Sequence, residues 1–186
     1  MAREKKDTLA SVVKRMGMTD AEAVIALKSL KVQPSRGAVK VPISSKSFMF
    51  GYFSDPHIGN KKFRLDLFDY MVRFFRKEKP DFILNPGDHL EGMSGRPGHV
   101  YELSQIGFDA QYKRAIELYK QLDDFDHYGI DGNHDQWYQK KGDQGMVVGI
   151  ALELGLKNYH NLGQDEGDLV VSGIRIKLYH AGDGTA

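Results

Sequence analysis

Short apolar runs at residues 48–54, 82–85 and 125–130 have the length and composition of buried strands. Stretches with helical spacing lie between them. Residues 61–79 carry Phe63, Leu67, Tyr70, Met71 and Phe74 at intervals that form one stripe, and Pro80 ends the run. A glycine-rich loop over residues 92–98 leads into a second predicted helix, 104–122. Residues 145–154 are almost uniformly apolar, which predicts a buried helix. Residues 168–171 and 174–179 predict a hairpin closed by Ser172-Gly173. The order strand, helix, strand, helix, strand predicts an α/β fold on a mainly parallel sheet, with antiparallel strands added by the hairpin. Upstream, residues 8–16 and 19–30 predict two short helices about Gly17, and residues 31–46 a basic linker with Pro34, Gly37 and Pro42. The expected division is a helical appendage with linker over residues 1–46 and an α/β domain over residues 47–186.

Composition narrows this picture. The chain has 186 residues, 41% of them apolar, enough for one domain with a real core. Its net charge is +1, but the charge is uneven. Residues 1–46 hold ten basic and four acidic residues, while the remainder is net acidic. A basic appendage on an acidic body makes an anionic partner such as nucleic acid an option for residues 1–46. Two helices about a glycine turn can form a helix-turn-helix. The second carries only Lys28 and Lys31 near its end, so a docking or packing role is the stronger reading. Cysteine is absent, which excludes disulfides and thiolate metal sites. No apolar run approaches the ~20 residues of a membrane span, and no signal-peptide pattern opens the chain. A cytoplasmic protein without a membrane partner is expected.

Each predicted strand runs into polar residues of ligand type. Residues 48–54 lead to Asp55-Pro56-His57, residues 82–85 to Pro86-Gly87-Asp88, and residues 125–130 to Asp131-Gly132-Asn133-His134-Asp135. Open α/β folds bind ligands at the carboxyl ends of their strands. Asp55 and His57, two apart on an extended chain end, can face one cation. Asp88 offers two oxygens and can bridge two cations, with Asn133 and His180 on the second. Carboxylate, imidazole and amide donors suit Mn, Fe or Zn, with Mn preferred. Two such ions can clamp a phosphate and generate a hydroxide nucleophile. Turn and cap chemistry is the competing account of the same residues. His89 is expected in a loop or supporting role, Arg96 and His99 in a solvated loop, Trp137 and Tyr138 in packing, and His127 and His160 at the surface or core edge.

Asp55-x-His57, Gly87-Asp88-x-x-Glu91, Gly132-Asn133-His134-Asp135 and His180 together resemble the successive motifs of the calcineurin-like metallophosphoesterases. The resemblance covers residues 47–183 and implies a β-α-β-α-β sheet sandwich. It implies that Asp55 and His57 hold one divalent metal ion, that Asp88 bridges, and that Asn133 and His180 hold a second. His134 would approach the phosphate or protonate the leaving group, and Glu91 would orient that imidazole. The family usually has Asp or another polar residue at the Glu91 position. Its last motif, Gly-His-x-His, is not found after His180, so the sandwich is expected to be incomplete at its C-terminus, with each metal one ligand short. The expected activity is hydrolysis of a phosphate ester, with a nucleic-acid phosphodiester favoured by the basic N-terminal stretch. A phosphomonoesterase acting on phosphoprotein or nucleotide, and a non-catalytic binding module, are the alternatives.

Overall fold

The computed structural model describes residues 37–140 and 147–182. The chain divides into two units, residues 1–35 and 36–186, and every described residue belongs to the second. The two helices expected within residues 8–30 lie outside the described residues. In chain order the elements are β1 (Val39–Val41), β2 (Phe50–Tyr52), α1 (Leu65–Glu78), β3 (Phe82–Asn85), α2 (Phe108–Tyr119), β4 (His127–Asp131), the single turn α3 (Trp137–Lys140), α4 (Val148–Gly155), β5 (Tyr159–Gln164), β6 (Glu166–Val171) and β7 (Ile174–Tyr179).

Strands β2-β3-β4-β5 form a parallel sheet in that order, and β1-β6-β7 form a second sheet. Strands β3 and β4 are buried at every position, as parallel strands covered on both faces must be. Alternation along the strands divides two cores. Phe82, Leu84, Tyr128 and Ile130 pack with Val41, Leu162, Leu169, Val171 and Leu178 between the sheets. Ile83 turns the other way and joins Phe68, Val72, Phe75, Leu118 and Leu152 beneath the helices. The layers are therefore helices, parallel sheet and mixed sheet. Each fully buried side chain of this size contributes about 1.5–3 kcal/mol.

The hairpin forms as predicted. Val171 pairs with Ile174, and both Ser172 and Gly173 have positive φ, the backbone of a two-residue type I′ turn. Strand β1, by contrast, arises inside the stretch assigned to the linker. It pairs in parallel with β6, and Val41 is buried between the sheets, so residues 39–41 belong to the α/β body. Strand β5 also goes beyond the sequence pattern. The stripe on α1 is corrected too. Its buried face is Phe68, Val72 and Phe75, whereas Leu67, Tyr70 and Phe74 are 55%, 61% and 46% exposed. The helix is apolar on more than one side, so spacing alone does not choose the face. Gly51 of β2 does: its missing side chain leaves room for the Phe75 ring, which would lie 2.9 Å from an added Cβ. In α4, Leu154 is exposed rather than buried. His127 is buried rather than at an edge, and burial pushes its pKa well down.

Candidate metal centre

The turns after β2 and β3 are zipped together beyond the ends of their strands. The amides of Asp55, His57 and Ile58 donate to the carbonyls of Gly87, Asp88 and His89, at 3.2, 3.1 and 3.0 Å. Asn85 shapes the second turn by accepting the Gly87 N–H at 2.8 Å. Asp135 ties in the third, accepting the N–H groups of His89, Leu90 and Gly132 at 2.9–3.1 Å. Last, β7 delivers His180, whose amide bonds to the Asp165 carbonyl. Asp55, His57 and Asp88 all take φ near +50°, a region that non-glycine residues enter at a cost and that clusters at functional sites.

These turns bring Asp55, His57, Asp88, Asn133, His134 and His180 to one place. Asp88 is central. Its Oδ2 lies 3.6 Å from His57 Nε2, and its Oδ1 lies 3.5 Å from His180 Nε2. Ligand atoms of His57, Asp88 and His134 fall within 4.8 Å of one another, as do those of Asp55, Asp88 and His180. Asp55 also stands 4.0 Å from His57, so it reaches both sides of Asp88. Asn133 Oδ1 is 2.7 Å from His180 Nε2, while His180 Nδ1 donates to the Pro86 carbonyl at 2.8 Å.

The donor set fits divalent metal. The Pro86 contact fixes the His180 proton on Nδ1 and aims Nε2 at the acceptor-only oxygens of Asp88 and Asn133, as a supporting carbonyl does for a metal-ligating histidine. Without a cation a proton serves in its place: the Asp88 carboxylate raises the His180 pKa to about 9 against the effect of burial. Burial disfavours a charged Asp88, but His180 and the His134 amide outweigh it and hold the carboxyl below its ordinary range. For His57, burial is likewise outweighed, here by Glu91, Asp88 and Asp55, and the pKa is raised.

Glu91 takes a different place from the one expected. Its carboxylate lies 3.0 Å from His57 Nδ1 and 2.9 Å from His99 Nε2, but 3.9 Å from His134 Nδ1. His134 Nδ1 instead donates to the Glu91 backbone carbonyl at 2.8 Å. Each carboxylate oxygen faces one imidazole, Oε2 that of His57 and Oε1 that of His99, and the backbone carbonyl serves the third. Burial would raise the Glu91 pKa, yet His57, His99 and Asn60 pull it down to about 2. His99, expected in a solvated loop, is instead buried, with its Nε2 against this carboxylate. Arg96 is occupied by Glu102, with both contacts at 2.8 Å. Trp137 packs against the His134 ring at 3.9 Å between centroids, whereas Tyr138 is core. His89 is buried between Tyr119 and Tyr159 and supports rather than faces the centre.

Two glycines set the clearance. A Cβ on Gly132 would stand 2.2 Å from Asp88 Oδ1 and 2.6 Å from the Asp88 amide, and one on Gly87 would meet the Gly132 amide at 2.6 Å.

Carboxylate and imidazole groups gathered at the strand ends of a parallel sheet are donors that could hold divalent metal. The calcineurin-like phosphoesterase family model matches residues 48–184, and the chain belongs to that family. The family implies metal-dependent phosphoester hydrolysis, and the clusters about Asp88 are residues that could hold a divalent metal. Comparison with curated proteins gave no match. No helix among the described residues is long and apolar enough to cross a membrane.

Proposed function

We propose that the protein is a dinuclear phosphodiesterase acting on nucleic acid or a nucleotide-like diester. The observation that carries this reading is the Asp88 carboxylate, which turns one oxygen to His57 and the other to His180. Asp55, His57 and Asp88 would hold one divalent ion, and Asp88, Asn133 and His180 the other, with manganese the preferred metal. When bound, such a pair polarises the phosphoryl oxygens and lowers the pKa of water at the site. The chain's own residues do the rest. Asp88 and Asp55 counter the cationic charge, and Pro86 keeps His180 in the ligating tautomer. Glu91 fixes His57, and His99 keeps Glu91 in place. With Nδ1 engaged by the Glu91 carbonyl, His134 presents Nε2 to the substrate oxygens, where it donates a proton to the departing alkoxide. Trp137 holds that ring in place. The basic stretch of residues 1–46 favours a polyanionic substrate.

The test is hydrolysis of bis(p-nitrophenyl) phosphate by the full chain, with and without Mn²⁺, beside Asp88→Asn. We expect metal-dependent turnover that falls more than about 100-fold in the variant, beyond the usual cost of losing a supporting partner, while circular dichroism is unchanged. Equal activity of the variant would remove the bridge from the mechanism.

A further inference from the structure

Two of the proposed ligands, Asp55 and His57, line a cleft of about 760 Å³ together with His134, and much of the rest of its wall is apolar. Phe53, Phe63, Leu67, Phe68 and Met71 line it beside Asp55, His57 and His134. Phe68 anchors this wall in the core, with the Phe53 ring edge-on at 6.2 Å and the Phe63 ring at 6.1 Å. Leu67, one helical turn before Met71, remains 55% exposed. Lys62 and Arg64 also line it, the Arg64 guanidinium paired with Asp66 at 2.7–2.8 Å. A phosphate alone needs none of this apolar surface. An apolar cleft with a few convergent polar groups is the form of a site for an organic group, and large apolar side chains left in water beside a reactive centre mark what they receive.

Resting on the phosphodiesterase reading, we infer that this cleft binds the nucleoside attached to the scissile phosphate, its base lying against Phe63, Leu67 and Met71. Continuity with the ligand cluster fixes the occupant. A group seated here must be joined to a phosphorus held at Asp55 and His57, and it must be flat or apolar enough to use the wall. Base-to-aromatic contact of this kind is sequence-tolerant and contributes about a 5- to 150-fold preference per base, so the cleft would select nucleosides as a class without reading sequence.

Two diesters with one leaving group isolate the effect: thymidine p-nitrophenyl phosphate and methyl p-nitrophenyl phosphate. In each, water adds to phosphorus, the bond from phosphorus to the aryl oxygen breaks, and p-nitrophenolate departs with the electron pair. The monoester and a proton remain. Intrinsic reactivity at phosphorus is shared, so the ratio of kcat/KM values reports the cleft. We expect the full chain with Mn²⁺ to favour the thymidine ester by about tenfold or more. Leu67→Lys, at an exposed position that does not threaten folding, should bring the ratio near one, chiefly through KM. A ratio near one in the unaltered chain overturns the inference and leaves the phosphodiesterase reading standing. Should neither ester turn over, that reading fails, and calorimetric binding of thymidine monophosphate against methyl phosphate to the metal-loaded protein still decides the cleft. Equal affinities overturn it, and tighter thymidine monophosphate binding that is lost in Leu67→Lys supports it.

Discussion

Glu91 is the residue whose surroundings change its role. Three imidazoles crowd it, and the carboxylate goes to His57 and His99 while only the backbone carbonyl reaches His134. An anion against the outer nitrogen of a ligating histidine raises its basicity and fixes its ring. Glu91→Gln should therefore weaken manganese binding about 10- to 100-fold, read by isothermal titration, with the fold intact. Were the carboxylate serving His134 instead, manganese affinity would hold and only turnover would fall. That Asp55, His57, Asp88, Asn133 and His180 converge was legible because Asp, His and Asn stand immediately after apolar strand runs. The destination of Glu91 was not, because it depends on a loop that brings His99 back from eight positions away.

At the scale of elements, the ends of strands also hold helices. Asp131, the last residue of β4, accepts the Gly149 N–H in the first turn of α4 at 2.6 Å, a cap supplied from another element. Burial of both groups makes the loss larger than at a surface cap. Asp131→Ala should destabilise the protein by about 2 kcal/mol, measured as a lower urea midpoint with unchanged slope. No change in the midpoint would mean that α4 finds its cap elsewhere. Strands β3 and β4 and the hairpin could be read from sequence, since continuous apolar runs and a Ser-Gly turn are local signals. Strand β1 could not, because Val39-Lys40-Val41 becomes a strand only through the neighbouring Leu169-Val170-Val171 of β6. The face of α1 could not either, because the deciding void is at Gly51, on a different element.

For the whole molecule, the ligand cluster couples stability to pH and to metal. His180 has its pKa raised to about 9 beside Asp88, above its ordinary 6.5. A raised value stabilises the metal-free fold fully below pH 6.5, and this contribution is lost as pH climbs through 9. His89 works the other way. Burial lowers its pKa to about 4, so its contribution is complete above pH 6.5 and is lost on acidification towards 4. In excess chelator, Tm should peak near pH 6.5 and fall towards 9. Saturating Mn²⁺ should raise Tm by an amount that grows over that window, since the metal displaces the His180 proton. Differential scanning fluorimetry across pH checks both, and a Tm in chelator that rises from 6.5 to 9 would contradict the Asp88–His180 pairing. The closeness of Gly87 and Gly132 to this pair has a consequence for descent. What an added methyl would strike first includes the backbone of Asp88 and Gly132 themselves, and no exchange of a neighbouring side chain makes backbone smaller. A lineage that lost either glycine would have no compensating substitution close by, and its way back would be to restore the glycine.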